Sequence, residues 1–261
     1  MSTKTDQRGK KILQVLLRHG NTSVDELAEQ MGASTASVRR DLTRLEERGL
    51  VHRTHGGATL AGQTLYQPFR FDSSFQVREG RFAEEKRRIG MAAAELIREH
   101  ETVGFTAGTT TTQAARCIRH RTGIHVITNA VNIGMELNHQ AALDVTLTGG
   151  NMRWAGAFSL TGPTAMEMLG GVFLDKAFIG ACGVDVRHGA TTIEPDEAAV
   201  FRAMVRQAKQ VIVLADSSRI AITSPALICQ VSDIDILITD SGITPDALAG
   251  FKTNGVQVLA V

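Results

Sequence analysis

Short apolar segments recur along the last two thirds of the chain and alternate with polar or glycine-rich residues and with helical patterns. These segments are residues 103–106, 126–128, 145–148, 177–180, 211–215, 236–239 and 256–261. Helical patterns begin at Glu85 before the first segment, and at Thr111, Val131 and Asp196 between later ones. Strands that alternate with helices in this way predict an α/β domain with a mostly parallel sheet over residues 85–261.

Polar residues stand where these strands end, which is where ligands bind in α/β sheets. Gly108 permits a sharp turn after the first strand, and the hydroxyls of Thr109, Thr110 and Thr111 then meet the free amides of a helix start. This pattern predicts an anion cradle suited to phosphate, although it is not a Walker motif. The other candidate effector-binding residues are Thr128, Asn129, Gly149, Gly150, Asp185, Glu197, Asp216 and Arg219. Hydroxyls, amides, carboxylates and an arginine together suit a phosphorylated sugar.

Residues 1–60 predict a small helical domain that ends in a hairpin. A first helix over 7–19 has one apolar face. Ser23 and Glu26 have the spacing of a capping box ahead of a second helix, and Ser34 begins a third helix after a tight turn. Residues 50–60 then form two short strand patterns around a glycine turn. Two helices joined by a tight turn and followed by such a wing indicate a winged helix-turn-helix.

The third helix is predicted to enter the major groove of DNA. Its first residues offer short hydroxyls to phosphates, while Arg39 and Arg40 suit guanine edges or phosphates; which of the two reads a base stays open. Arg53 and His55 of the wing are candidates for the backbone or the minor groove, and Glu46 is expected to pair within its helix. The candidate DNA-binding residues are Ser34, Thr35, Ser37, Arg39, Arg40, Arg53 and His55. The alternative is a solvated basic face that contacts another protein.

A connector is expected over residues 61–84, because glycine, proline and serine interrupt any long period there. The segment nevertheless concentrates aromatic residues, which a purely flexible linker would lack. We interpret it as a strand-like or irregular arm that packs on the next domain or on a partner subunit. Arg78 and Arg81 are expected to face solvent, with contacts to DNA phosphates as the alternative.

The charge of the chain separates into two parts that nearly cancel. The net charge is +1, yet residues 1–88 hold 16 Lys and Arg against 11 Asp and Glu, whereas residues 89–261 hold 12 against 16. Residues 1–88 therefore carry a net charge of +5 and residues 89–261 a net charge of −4, which suggests two functions. A length of 261 residues suits two domains, and an aromatic content of 5% argues against a surface that stacks many bases.

Three cysteines, Cys117, Cys182 and Cys229, lie far apart and form no CxxC pair. They predict reduced core thiols rather than a disulfide framework or a zinc site, so no metal or cofactor is expected. The polar N-terminus does not resemble a secretory signal, and no apolar run approaches the roughly 20 residues that span a bilayer. We expect a cytoplasmic protein.

Both halves resemble one family, the DeoR-type bacterial transcription regulators. The run SVDELAEQMGASTASVRRDLTRLEERGLVHRTHGGA is similar to that family's helix-turn-helix, with its RRDL core and HGGA wing. The runs AGTTTTQ, ITNAVN, LTGG, AFIGACGVD, DEAAVFRAM and VLADSSR are similar to its sensor domain. The resemblance implies a sensor similar to the ribose-5-phosphate isomerase fold and a phosphorylated sugar or sugar-derived effector. It further implies repression of a carbohydrate catabolism operon by a bacterial protein that associates with the nucleoid when bound to its operator. We expect a homodimer or homotetramer, and a palindromic or repeated operator, because dimers read two half-sites.

Two positions depart from the family pattern. Thr106 stands where the family often has an acidic residue, and Arg219 stands where it often has lysine. Arginine stays charged and can hold a phosphate, but it carries protons poorly. The departures thus argue against the alternative of a sugar-phosphate isomerase with a DNA-binding head, which would need a base such as Glu197 or Asp185. A further alternative is an activator or protein-interaction module without an effector; we expect a regulator that is not an enzyme.

Overall fold

The structure is a computed structural model that describes residues 3–19, 21–47, 50–54, 56–60, 73–138, 143–153 and 158–261. The chain divides into two compact units, residues 1–71 and 72–261. The predicted fold class is confirmed: a winged helix-turn-helix is followed by a larger α/β unit built on a parallel sheet.

The first unit packs three helices against a small antiparallel sheet. Its elements are α1 (Thr3–His19), β1 (Thr22–Ser23), α2 (Val24–Met31), α3 (Thr35–Glu47), β2 (Val51–Thr54) and β3 (Gly57–Leu60). The strand order is β1-β3-β2, so the predicted wing is extended by a third short strand. The predicted capping box is present, since the amide of Glu26 donates to the Ser23 hydroxyl and the amide of Ser23 donates to the Glu26 carboxylate. Ile12, Leu27 and Leu42 bring one apolar face of each helix into a shared core.

The second unit is built on seven parallel strands with helices around them. Its helices are α4 (Ser73–Gly80), α5 (Ala83–Glu95), α6 (Thr109–Cys117), α7 (Val131–Leu137), α8 (Pro163–Gly170), α9 (Pro195–Gln207) and α10 (Pro245–Thr253). Its strands are β4 (Thr102–Phe105), β5 (Ile124–Thr128), β6 (Leu143–Leu147), β7 (Asn151–Arg153), β8 (Ser159–Thr161), β9 (Lys176–Gly180), β10 (Gly183–Asp185), β11 (Gly189–Thr192), β12 (Val211–Leu214), β13 (Ala226–Cys229), β14 (Ile236–Thr239) and β15 (Gln257–Ala260). The large sheet has the order β15-β14-β12-β9-β4-β5-β6, and every neighbouring pair is parallel.

Each of the seven predicted apolar segments forms one strand of this parallel sheet. Two smaller antiparallel sheets, β7-β8 and β10-β11-β13, have no counterpart in the sequence prediction. Their strands are three or four residues long, and β11 has the sequence GATT, which carries no apolar run. Such strands depend on tertiary pairing rather than on local pattern.

The described part of the predicted connector differs from the expectation. Residues 73–80 form helix α4 and the next helix already begins at Ala83, where the sequence suggested a strand-like or irregular arm. Phe75 explains the difference, because its ring is buried and meets the ring of Phe158 edge to face, with 5.1 Å between the centroids. Tertiary packing therefore overrides the local breakers, and the prediction of an irregular arm is wrong for this part.

Candidate functional site

A cavity of about 230 Å³ lies at the point where the chain order of the parallel sheet reverses. From β4 the chain adds β5 and β6 on one side, whereas from β9 it adds β12, β14 and β15 on the other. The residues that follow β4 and β9 therefore border a crevice at the carboxyl edge of the sheet. Parallel sheets place their ligand sites at such a reversal.

The start of α6 forms one wall of this cavity. Gly108, Thr109 and Thr110 line it, and the first-turn amides of a helix have no intrahelical acceptor. The hydroxyl of Thr111 does not line the cavity, since it donates to the Gly108 carbonyl over 2.9 Å. The wall thus offers amides, two threonine side chains and the positive end of a helix dipole, a combination that binds anions.

Four cationic side chains line the described walls. Arg219 lies just after β12 as its sequence position suggested. Arg81 is exposed and Arg78 is half-buried, and both also line the cavity, from the turn after α4 and from α4 itself, which we did not expect. Lys86 of α5 completes the set and was not predicted at all.

Lys86 is buried, with 3% of its surface exposed, and its ammonium group is held by backbone carbonyls. Its Nζ donates to the carbonyl of Arg78 over 2.5 Å and to the carbonyl of Arg81 over 2.6 Å. Burial lowers the pKa of Lys86, and nearby Asp216 opposes that effect while Arg219 adds to it. The lysine therefore fixes the end of α4, which carries Arg78, and the turn after it, which carries Arg81.

Two carboxylates face the same space. Glu197 lies in the first turn of α9 and Asp216 follows β12, and both are buried. Asp216 accepts a hydrogen bond from the Ser218 hydroxyl. Carboxylates beside a cationic wall give the cavity acceptors for hydroxyl groups as well as donors for an anion.

The remaining predicted effector-binding residues lie outside the described cavity lining. Thr128 donates to the Phe105 carbonyl over 2.7 Å, and Asn129 accepts from the Ala107 amide and donates to the Ser159 hydroxyl over 3.0 Å in each case. Asp185 accepts from the amides of Arg187 and His188. The set outside the lining is Thr111, Thr128, Asn129, Gly149, Gly150 and Asp185.

Thr106 ties the two central strands together at the reversal point. Its hydroxyl accepts the amide of Gly180 over 2.8 Å, and the side chain is fully buried. Thr106 is thus part of the frame between β4 and β9. Other lining residues that sequence reasoning missed are Phe75, Cys182, Thr192, Ile193 and Phe201. Cys182 follows β9 within the run AFIGACGVD, so its position at the end of a strand could have indicated it.

In the first unit, α3 and the residue before it carry five of the seven predicted DNA-binding residues, and none of the five is buried. Arg39 and Arg40 are exposed, whereas Val38 beside them is buried in the core. Ser34 begins the helix, since its hydroxyl accepts the Ser37 amide over 3.3 Å and lies 3.0 Å from the Ser37 hydroxyl. Thr35 and Ser37 are half-buried beside it, and this start of a helix with short hydroxyls suits a phosphate.

The wing is joined to α3 by an ion pair. The Arg53 Nε lies 2.7 Å from a carboxylate oxygen of Glu46, and the Arg53 amide donates to the other oxygen over 3.1 Å. These two donors lower the pKa of Glu46. Glu46 therefore pairs with the wing and not within its helix as expected, and Arg53 is held beside the recognition helix. His55 lies outside the described residues.

A second ion pair sets the orientation of α3. Asp41 is buried at 3% exposure, and the Arg8 Nε of α1 donates to it over 2.5 Å. Burying a carboxylate is costly unless it is paired. The aspartate in the RRDL core therefore faces inward to α1, which leaves the two preceding arginines exposed.

The described residues contain neither a candidate metal site nor a candidate membrane-spanning helix. Within them, no group of three or more His, Cys, Asp and Glu side chains could hold a metal ion. No helix of that part of the chain is both long enough and apolar enough to span a bilayer.

A winged helix-turn-helix with an exposed arginine-bearing helix, followed by an α/β unit with a charged cavity, defines the class of ligand-responsive transcription regulators. A model of the DeoR-like helix-turn-helix domain matches residues 8–64, and a model of the DeoR C terminal sensor domain matches residues 81–241. The chain belongs to the DeoR family, whose members regulate transcription by binding DNA and are not enzymes.

Relatives match the chain over nearly its whole length. The HTH-type transcriptional regulator GlpR of Haloferax volcanii is 34% identical over 97% of this chain and 96% of that protein. The HTH-type transcriptional repressor GlcR of Bacillus subtilis is 34% identical over 95% of this chain and 93% of that protein. Among solved structures, ribose 5-phosphate isomerase A of Methanocaldococcus jannaschii aligns with a TM-score of 0.38 and 16% identity, over 53% of this chain and 55% of that one.

Proposed function

We propose that the chain represses a carbohydrate catabolism operon and that a phosphorylated sugar, or an effector derived from one, binds the cavity at the sheet reversal and lowers operator affinity. The effector's phosphate contacts the start of α6 and the cationic side chains. Its hydroxyls bind Glu197 and Asp216. Copies of the chain that are bound to the operator are associated with the nucleoid.

The observation that carries this proposal is the composition of the cavity. Gly108, Thr109 and Thr110 bring helix amides to one side, and Arg219 brings a guanidinium to another. Amides and cations match a phosphate dianion, whereas buried carboxylates match hydroxyl groups. An unphosphorylated sugar would bring no anion to the cations, and a bare phosphate would offer no sugar hydroxyls to the carboxylates.

On the DNA side, Arg39 and Arg40 supply base or phosphate contacts from α3, with Ser34, Thr35, Ser37 and Arg53 as further contacts. A dimer or a tetramer of the chain would place two such helices on adjacent half-sites. Support for DNA as the partner also comes from relatives that carry the printed name of transcriptional repressor.

The test measures effector response on DNA. A fragment selected in vitro from random sequence with the full chain serves as the operator, and its binding is followed by fluorescence anisotropy. Sugar phosphates, the same sugars without phosphate, and inorganic phosphate are added in turn. We expect a sugar phosphate to weaken binding while its unphosphorylated form does not.

A charge variant separates the cavity from the rest of the surface. Arg219→Gln removes one charge-assisted contact to phosphate, each worth about 1.5–3 kcal/mol, so the effective sugar phosphate should be needed at about tenfold or higher concentration. Arg98→Gln, on the exposed surface, is the matched control and should respond as the unaltered chain does. If no sugar phosphate alters either DNA binding or thermal stability, the proposed effector class is wrong.

A further inference from the structure

The cationic wall of the cavity comes mainly from one short stretch of chain. Arg78 lies in α4, Arg81 lies in the turn after it, and Lys86 lies in the first half of α5. Together with Arg219 they face Glu197 and Asp216, so the described charged lining sums to four positive and two negative groups. The cavity therefore carries an excess of +2 inside a domain whose residues 89–261 sum to −4.

An aromatic contact and an ion pair hold α4 on the domain. Phe75 packs against Phe158, and Glu79 pairs with Arg116 of α6 over 2.5 Å. The opposite side of α4 and its turn is open to solvent, with Val77 53% exposed and Phe82 45% exposed. An amphipathic helix that covers a cavity on one side and meets water on the other has limited burial to stabilise its docked position.

The charges around Lys86 are mixed in sign. Asp216 and Glu79 favour the charged form of Lys86, whereas Arg219 and Arg78 disfavour it. Because Lys86 also holds the carbonyls of Arg78 and Arg81, the three cations approach the cavity as a unit. A phosphate dianion held by Arg78 and Arg81 as well as by the start of α6 would link α4 and its turn to the rest of the domain, and its binding would therefore favour the docked helix.

The position of α4 in the chain makes its docking relevant to DNA binding. The wing ends at Leu60 and α4 begins at Ser73, so 12 residues join them. If α4 and its turn leave the domain, the joining segment becomes 61–82, or 22 residues. Fully extended, the reach rises from about 40 Å to about 75 Å at roughly 3.4 Å per residue. Docking of α4 therefore restricts where each DNA-binding unit can reach.

We infer that Arg78 and Arg81 hold the anionic group of the effector, with Lys86 as their positioning residue, and that effector binding fastens α4 and so shortens the tether to the DNA-binding unit. The inference rests on the proposed function, because it assigns the regulation of the same cavity. Reciprocity requires that whatever weakens α4 docking also weakens effector binding.

Hydrogen exchange followed by mass spectrometry tests this on the full chain. The probes are the sugar phosphate that acts on DNA binding and, independently, inorganic phosphate. We expect amides of residues 73–82 to exchange more slowly with the probe bound. The double variant Arg78→Gln, Arg81→Gln should lose that protection and bind the sugar phosphate about tenfold or more weakly.

Matched variants keep the outcome specific. Arg98→Gln combined with Arg206→Gln removes the same charge from exposed positions and should leave both protection and affinity unchanged. Lys86→Met keeps the bulk of the lysine but frees the two carbonyls, and it should also lose the protection of residues 73–82. Arg81→Gln alone alters only an exposed side chain, so it serves if the double variant does not fold.

Each result separates this inference from the proposed function. If a sugar phosphate binds and releases DNA while exchange in residues 73–82 stays the same, or while the double variant responds fully, the role of α4 is wrong and the proposed effector stands. If neither a sugar phosphate nor inorganic phosphate binds, both are wrong.

Discussion

At the scale of single residues, the three cysteines have the same chemistry but different surroundings. Cys117 and Cys229 are buried, and burial raises the pKa of the first thiol to about 11 and of the second to about 12. Cys182 is half-buried on the cavity wall, with its Sγ 3.6 Å from the Thr192 hydroxyl. Reactivity of a thiol follows its thiolate fraction and its access to reagent.

Alkylation should therefore report on the cavity. At pH 8 a raised pKa leaves only about one thiolate in a thousand at Cys117 and about one in ten thousand at Cys229, so iodoacetamide should modify Cys182 first. A saturating sugar phosphate should slow that modification, because it occupies the space next to the thiol. Peptide mapping by mass spectrometry gives the rates, and Cys182→Ser is the control. A Cys182 rate unaffected by bound ligand would place the ligand elsewhere.

At the scale of elements, the cavity depends on how closely α5 approaches α6. A Cβ on Gly90 of α5 would lie 2.8 Å from the Ala114 amide nitrogen and 2.8 Å from the Gln113 carbonyl carbon. Backbone atoms cannot move aside as a flexible side chain can. The glycine thus sets the spacing between the helix that carries Lys86 and the helix whose start forms the anion cradle.

Gly90→Ala should destabilise the α/β unit by about 1–3 kcal/mol, because it overpacks a tight helix contact. It should also weaken effector binding, since α6 and Lys86 move apart. Gly170→Ala is the matched control, because a Cβ on that helical glycine meets nothing within 4 Å. Urea unfolding followed by circular dichroism compares the two, and equal midpoints would contradict the expected clash.

Some elements follow from local sequence and others depend on the folded context. The parallel strands were predictable because each is a buried apolar run, and Gly108, Glu197 and Asp216 border one cavity because each follows a strand or begins a helix beside it. Arg78 and Lys86 were not predictable as lining residues. Arg78 reaches the cavity because α4 packs on the domain through Phe75 and Phe158, which are distant in sequence, and Lys86 reaches it from the neighbouring helix α5.

At the scale of the whole molecule, the two opposite charge excesses belong to separate units with separate partners. Residues 1–88 carry +5, but part of that excess, Arg78, Arg81 and Lys86, lines the cavity of the second unit. The positive charge available to contact DNA is therefore smaller than the net charge of residues 1–88 suggests. The exposed arginines of α3 remain the main described candidates for phosphate contacts.

Salt dependence of DNA binding can test this division. Removing one contact to a DNA phosphate changes the slope of log affinity against log salt by about 0.9, so a dimer on two half-sites should show a change of about 1.8 when each protomer is altered once. We expect Arg39→Gln or Arg40→Gln to produce that change wherever the side chain contacts phosphate, and to alter sequence preference instead where it reads a base.

Arg98→Gln of the second unit is the control and should leave the slope unchanged. Anisotropy titrations over a range of salt concentrations measure the slopes. A slope change near 0.9 would indicate that one protomer alone contacts DNA, and unchanged slope with unchanged preference in both variants would remove α3 from the interface.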